Sequence, residues 1–239
     1  MVSEFSKITT SRAATERTYQ KIARHLKGQI VAGEYKIGGR LPAERELASR
    51  LGVSRASLRE ALLALEIAGI VEIRGGAGIF VLNNQDISEF EVNDFLKGAH
   101  GPYEILEARR IIEGQTASGA ALKASREQVD ELETLVQKLL NTALDATEEF
   151  SMLDREFHIQ IAKASGNSIL FQMVHWLWDI DKGLMWKRWY HDQRSRKNRE
   201  RSRNDHNEIF LFIKNREAEL ARTAMAAHVD RLVHRFLKF

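Results

Sequence analysis

The 239-residue sequence contains no cysteine, only two prolines and no long run of apolar residues. The lack of cysteine excludes disulfides, thiolate catalysis and cysteine-bound zinc, so any transition metal must be held by nitrogen and oxygen ligands. No apolar stretch reaches the roughly 18 residues that a membrane helix needs, and the N-terminus lacks the hydrophobic block of a secretory signal. We therefore expect a globular protein that works in the cytoplasm without a membrane partner.

The composition favours two domains, one of them basic. Hydrophobic residues make up 44% of the chain, which is enough to fill two cores at this length. Residues 1–82 carry 13 Lys and Arg against 8 Asp and Glu, whereas residues 83–239 carry 23 against 25. The positive excess favours phosphate binding by the first part, although a solvated charge excess of this size is also common.

Residues 42–60, PAERELASRLGVSRASLRE, predict two short helices around a tight turn. Pro42 suits the first turn of a helix, where the missing N–H costs nothing. Gly52 suits the exit from that helix, and Ser54 is a typical N-cap for the next one. This pattern is typical of the helix pair with which a protein reads DNA.

The second helix of this pair has a packing face and a charged face. Its apolar residues recur at i, i+3, i+4 and i+7, at Leu58, Ala61, Leu62 and Leu65. Arg55 and Arg59 lie about a quarter-turn away, where we expect them to be free to enter a groove. The candidates for base or phosphate contacts are Arg45, Ser54, Arg55, Ser57 and Arg59. Alternatively, the arginines only keep short amphipathic helices soluble.

A hairpin is predicted to follow. Residues 70–82, IVEIRGGAGIFVL, read as two short strands around a glycine-rich turn, where Arg74, Gly75 and Gly76 can approach the DNA backbone or minor groove. A further helix is expected over residues 15–32. Three helices and a hairpin make a winged helix-turn-helix domain at 15–82, preceded by a flexible tail at 1–14. A nucleotide-binding loop is excluded because no GxxxxGK[ST] motif is present.

The remainder is predicted to be a linker at 83–101 and an all-α antiparallel bundle at 102–239. Helical periodicity is found at 103–123, 126–143, 147–164, 168–190, 199–214 and 217–237. Asn167 or Ser168 is expected to cap the fourth of these helices. The fold class is therefore mainly α, with a winged helix-turn-helix domain joined to a helical bundle.

Four residues of the bundle form a candidate metal site. Asp154 and His158 are spaced i, i+4 on one helix face, while His206 and His228 lie in or beside the apolar stripes of two other helices. One Asp and three His suit a divalent metal such as zinc, nickel or manganese. Any one of these histidines alone is better explained as a satisfied core residue, and only the joint pattern favours a metal.

Arg109 and Glu113 form a second i, i+4 pair, in the first bundle helix. One interpretation is a surface ion pair of little energetic weight. The other is an inward-facing arginine that binds the carboxylate of a ligand.

The run PAERELASRLGVSRASLREALLALEIAGIVEIRGGAGIFV resembles the winged-helix domain of the GntR superfamily, and the bundle resembles the FCD domain of its FadR subfamily. The resemblance implies DNA contacts by Arg45, Arg55, Arg59 and the hairpin glycines. It also implies that Arg109 faces an effector cavity and that the metal signature, Asp-x3-His plus two distant histidines, is met by Asp154, His158, His206 and His228. The segments GPYEILEARRIIE and DREFHIQIA are further similar to hexuronate-responsive repressors of the UxuR and ExuR type.

These observations predict a homodimeric transcriptional repressor that binds a palindromic DNA operator. Its bundle is expected to bind a divalent metal and a small carboxylate metabolite that changes operator binding, and the resemblance implies that this metabolite is a sugar acid such as a hexuronate. Two alternatives are a regulator that responds to metal alone and a metallohydrolase with a DNA-binding appendage. The hydrolase would need a general base near the metal, but Glu156 projects to the far side of its helix and no HExxH motif exists. We therefore do not expect an enzyme.

Overall fold

The computed structural model describes residues 17–83, 100–180, 184–193 and 195–238. These ranges contain ten α-helices and one two-stranded antiparallel sheet, which confirms the mainly α prediction. The predicted tail at 1–14 and all but the ends of the predicted linker at 83–101 lie outside the described residues. Among the helices within these ranges, none is both long enough and apolar enough to cross a membrane.

The chain divides into two compact units. The first, called the head below, comprises the described residues within 1–103, 182–189 and 236–239. The second, called the bundle, comprises residues 104–181 and 190–235. Two short segments from the C-terminal half therefore pack with the head.

The head contains the predicted winged helix-turn-helix. Its helices are α1 (Thr18–Val31), α2 (Glu44–Leu51) and α3 (Arg55–Ile67). Gly52 ends α2 with a φ of 67°, a left-handed conformation that favours glycine. The Ser54 hydroxyl accepts a hydrogen bond from the Ser57 backbone N–H at 3.0 Å and so caps α3. The core lies mainly between α1 and α3, with the fully buried residues Ile22, Leu26, Leu58, Leu62 and Leu65.

The hairpin consists of β1 (Val71–Arg74) and β2 (Gly78–Val81). The strands pair antiparallel, from Val71 opposite Val81 to Arg74 opposite Gly78. Their inward residues Val71, Ile79 and Val81 are buried in the head. The turn, with Gly75 and Gly76, is left exposed to solvent.

The remaining seven helices are α4 (Pro102–Lys123), α5 (Arg126–Asn141), α6 (Thr147–Ala164), α7 (Ser168–Asp179), α8 (Leu184–Gln193), α9 (Arg196–Lys214) and α10 (Ala218–Phe236). An alanine-rich side of α4 packs into the main core of the bundle. The larger side chains of that core include Phe150, Phe157, Ile161, Ile209, Phe210 and Met225. These residues come from α6, α9 and α10, the helices that carry the candidate ligands.

The prediction of one helix over 168–190 was wrong. Asn167 caps α7 by accepting hydrogen bonds from two backbone N–H groups, as expected, but the helix ends at Asp179. Ile180 has an extended backbone, with φ −45° and ψ 127°, and a new helix begins at Leu184. The apolar periodicity continues across this break, so periodicity alone predicted one continuous helix. Gly183 in the sequence, a residue that disfavours helices, was the available signal for a break.

Candidate functional site

The four predicted ligand residues of the bundle come together. Asp154 and His158 lie on α6, His206 on α9 and His228 on α10. One potential ligand atom from each residue lies within 4.8 Å of the others. All four side chains are buried, His206 completely. The i, i+4 spacing places two of them on one turn, and packing of the apolar stripes brings in the other two.

Several polar atoms of this cluster lack a hydrogen-bond partner among the described residues. His206 Nε2 lies 3.1 Å from Asp154 Oδ1, and His158 Nε2 lies 3.9 Å from the same oxygen. Despite these distances, none of the three atoms has a partner in hydrogen-bonding geometry. A buried polar atom without a partner costs about 1–3 kcal/mol, so a cation shared by these lone pairs would remove the penalty. The donor set therefore fits a divalent metal.

Two further carboxylates, those of Asp205 and Glu113, contact the Nδ1 atoms of two of these histidines. His228 Nδ1 lies 3.1 Å from Oδ2 of Asp205, and His158 Nδ1 lies 2.5 Å from Oε2 of Glu113. The atoms of the second contact are close together but do not lie in hydrogen-bonding geometry. In metal sites, a carboxylate behind an imidazole orients the ring and leaves the other nitrogen for the metal. Asp205 was not singled out from the sequence, and Glu113 was singled out only as the partner of Arg109, not of His158.

The electrostatics favour an ionised carboxylate beside neutral imidazoles. Burial alone would raise the pKa of Asp154, but His206, His158 and His228 together hold that pKa well below its usual range. Burial lowers the pKa of His206, although Asp154 partly offsets this effect. Burial also lowers the pKa of His228 to about 4, against the opposing effect of Asp205. At neutral pH, Asp154 is therefore charged and these two imidazoles retain the lone pairs that a metal needs.

Arg109 is inward-facing and already paired. Its Nε donates to Oε1 of Glu113 at 2.6 Å, and both side chains are almost fully buried, so the surface ion-pair interpretation is wrong. The guanidinium carbon lies 3.9 Å from the ring centroid of Trp178. Trp178 Nε1 in turn donates to Oε1 of Glu113 at 3.0 Å. Glu113 therefore contacts Arg109, Trp178 and the candidate ligand His158.

In the head, most of the predicted DNA-contact residues are accessible. Arg45 is exposed in the first turn of α2, Ser54 and Arg55 are exposed at the start of α3, and Ser57 is half-buried. Arg74, beside the exposed glycines of the turn, is ion-paired with Glu72 at 2.6 Å. A groove of about 300 Å³ lies between the first residues of α2 and α3 on one side and the hairpin on the other. The positively charged residues that line it are Arg40, Arg55, Arg74 and Lys238. Such a groove suits a phosphate backbone.

The expectation that the Arg59 side chain is free to enter a groove was wrong for this arrangement of the chain. It is only 5% exposed and lies 3.2 Å from Oε2 of Glu44. Its guanidinium also donates to the carbonyl oxygen of Leu237 at 2.6 Å. Burial lowers the pKa of Arg59, and Glu44 partly compensates. The helical periodicity of α3 could not reveal this burial, because Glu44 and Leu237 come from other segments.

The chain matches two family models. Residues 18–81 match the model described as "Bacterial regulatory proteins, gntR family", and residues 104–231 match the FCD domain. It is 34% identical to the Uxu operon transcriptional regulator of Escherichia coli K12, over 96% of this chain and 90% of the relative. It is 32% identical to the Exu regulon transcriptional regulator of the same strain, over 90% and 82%. Among solved structures it is similar to Streptococcus agalactiae GntR, with a TM-score of 0.46, 25% identity and coverage of 90% and 99%.

Proposed function

Because this chain belongs to the gntR family of bacterial regulatory proteins and contains an FCD domain, we propose that a divalent metal and a small carboxylate metabolite bind its bundle and control operator binding by its head. The chain is a DNA-binding transcriptional regulator of the Uxu and Exu type and not an enzyme.

The observation that carries the metal proposal is the buried cluster of Asp154, His158, His206 and His228, with unpaired lone pairs in a small volume. Zinc, nickel and manganese all suit nitrogen and carboxylate ligands. When bound, such an ion supplies a positive centre that attracts an anionic metabolite. Arg109 is the second cationic group proposed to bind the metabolite, because its guanidinium faces the interior and binds a carboxylate already.

A hexuronate is the proposed metabolite. This assignment is supported by similarity to the Uxu and Exu regulators and by the resemblance to hexuronate-responsive repressors. To release DNA, the acid must bind the DNA-incompetent arrangement more tightly than the competent one.

For the head, we propose that α3 enters the major groove while the hairpin follows the backbone. The residues assigned to DNA contacts are Arg45, Ser54, Arg55, Ser57, Arg59, Arg74, Gly75 and Gly76. Arg59 takes part only after its guanidinium leaves the Leu237 carbonyl. A homodimer is proposed because two symmetry-related heads read a palindromic operator. The proposed domains along the sequence are the winged helix-turn-helix domain at 15–82 and the helical effector-binding and dimerisation domain at 102–239.

The test uses duplex DNA selected by the full-length protein from a random-sequence library. Fluorescence anisotropy then measures affinity for that DNA with zinc-loaded or chelator-treated protein, in the presence of D-glucuronate, D-galacturonate or neutral D-glucose. We expect one of the acids to weaken binding by about 5–150-fold, the usual range of allosteric coupling, only with zinc-loaded protein. Glucose, which lacks the carboxylate, is the matched control.

A different outcome of the same titration identifies the alternative. If zinc alone changes the affinity for DNA and no acid does, the protein is a metal-responsive regulator. If neither zinc nor any acid changes it, the proposed control of operator binding is wrong.

A further inference from the structure

We propose that Glu113 is a positioning residue that links the metal centre to Arg109, so that the metal and the anionic metabolite bind cooperatively. This inference rests on the proposed function. Glu113 is fully buried, and its two oxygens contact groups on three helices: Arg109 on α4, Trp178 on α7 and His158 on α6. A single carboxylate thus contacts both a candidate metal ligand and the candidate effector arginine.

Toward the metal, Glu113 acts on His158. Its Oε2 lies 2.5 Å from Nδ1 but outside hydrogen-bonding geometry. The negative charge at this distance favours a proton on Nδ1 over one on Nε2, which leaves the Nε2 lone pair to a metal. Nε2 is the nitrogen that lies 3.9 Å from Asp154 Oδ1. A carboxylate in this position also makes the imidazole a stronger ligand, and its loss typically lowers metal affinity 10–100-fold.

Toward the metabolite, Glu113 acts on Arg109. The 2.6 Å bond to Oε1 holds the guanidinium beside the ring of Trp178. A metabolite carboxylate that binds Arg109 competes with Glu113 for the same N–H donors. The negative charge of Glu113 is then shared with fewer partners and acts more strongly on His158. Anion binding should therefore tighten metal binding, and metal binding should tighten anion binding by the same factor.

Asp205, the carboxylate that contacts the other histidine, makes no hydrogen bond or ion pair with Arg109 among the described residues. Asp205 contacts His228 Nδ1 at 3.1 Å, and its second partner is Arg231, which lies on α10 with His228 and is partly exposed. Replacing Asp205 should weaken metal binding without removing the link to Arg109. This difference makes Asp205→Asn the matched control for Glu113→Gln.

The experiment measures zinc affinity of the full-length protein by competition with a chromogenic chelator, with and without saturating D-glucuronate or D-galacturonate. In the wild type we expect one acid to tighten zinc binding. Glu113→Gln should bind zinc about 10–100-fold more weakly, and the acid should no longer change its affinity. Asp205→Asn should also bind zinc more weakly but keep the effect of the acid. Glu107→Gln, an exposed carboxylate on α4, should behave as the wild type.

Glu113→Gln leaves the buried Arg109 without a counter-charge, so folding is checked by circular dichroism and by a second variant. The double variant Arg109→Gln/Glu113→Gln removes both charges and should still bind zinc weakly, whereas Arg109→Gln alone should bind zinc nearly as tightly as the wild type.

If the double variant binds zinc as tightly as the wild type, or if Asp205→Asn also abolishes the acid effect, the role of Glu113 is refuted. If neither acid changes the zinc affinity of the wild type relative to zinc alone, the link to Arg109 is refuted. A wild type that binds no zinc refutes the proposed metal site as well.

Discussion

The histidines of this chain differ in what surrounds them, not in their chemistry. His206 is fully buried among Asp154, Phe157 and His228, and neither of its ring nitrogens has a hydrogen-bond partner within the part of the chain that the structure describes. His175 has about half of its side chain exposed and pairs with Asp179 one turn away. An exposed imidazole is hydrated and weakly held, whereas a buried one needs a partner that the protein or an ion supplies. Burial therefore separates candidate ligands from ordinary surface histidines.

We predict that His206→Ala lowers the amount of zinc bound per chain, because it removes a central ligand from the cluster. Metal content is measured by elemental analysis of protein loaded with zinc and desalted. The control is His175→Ala, which removes an exposed imidazole outside the cluster and should leave the metal content unchanged. Equal zinc content in His206→Ala and the wild type would rule out this ligand.

We also predict that Arg55→Ala weakens binding to the selected DNA by about 5–150-fold, the equivalent of a base contact worth about 1–3 kcal/mol. Arg55 is exposed at the start of α3 and lines the basic groove of the head. Binding is measured by anisotropy at constant salt, because phosphate contacts depend on ionic strength. Arg222→Ala, which removes an exposed bundle arginine paired with Glu219, serves as the charge-matched control. An unchanged affinity of Arg55→Ala would contradict the role of α3 as the recognition helix.

At the scale of elements, short helices of the head depend on their ends. Helix α2 has only eight residues, and three residues separate it from α3. Isolated helices of this length are marginal, so their caps hold them in place together with the packing of α2 on α3 and of α3 on α1. Gly52 supplies the left-handed residue that ends α2, and Ser54 supplies the acceptor that begins α3.

We predict that Ser54→Ala lowers the free energy of unfolding by about 1 kcal/mol, because the backbone N–H of Ser57 loses its acceptor. Urea denaturation measures the change. Ser49→Ala, an exposed serine inside α2, is the control and should change stability by less than about 0.5 kcal/mol. Equal stability of Ser54→Ala and the wild type would show that this cap is not needed.

At the scale of the whole molecule, the candidate metal site connects parts of the chain that are far apart in sequence. Its ligands come from α6, α9 and α10, whose apolar faces pack into the main core of the bundle together with α4 and α5. A metal that binds only the folded arrangement stabilises it by mass action. The stability of this protein should therefore depend on metal concentration.

We predict that zinc at about 100 times its dissociation constant stabilises the fold by about 2.7 kcal/mol. For a protein of this size, that corresponds to a rise in Tm of roughly 5–10 °C, measured by calorimetry. Addition of a chelator should reverse the rise. His206→Ala should show little or no rise, and a similar rise in that variant would place the bound zinc elsewhere.

Much of this protein was determined by local sequence patterns. The caps at Gly52 and Ser54, the hairpin and most helix bounds follow from residue type and periodicity, which act within a few residues. The approach of the three histidines to Asp154 was also predictable, because each lies in or beside an apolar stripe that had to face the core.

Only the tertiary structure decided which charges meet inside the molecule. The contact of Glu113 with His158 and Trp178 joins three helices, and no spacing in the sequence encodes it. The burial of Arg59 by Glu44 and the Leu237 carbonyl is equally nonlocal. Periodicity determines which face of a helix is buried, but the partner of a buried charge depends on how separate helices pack, which no single segment contains.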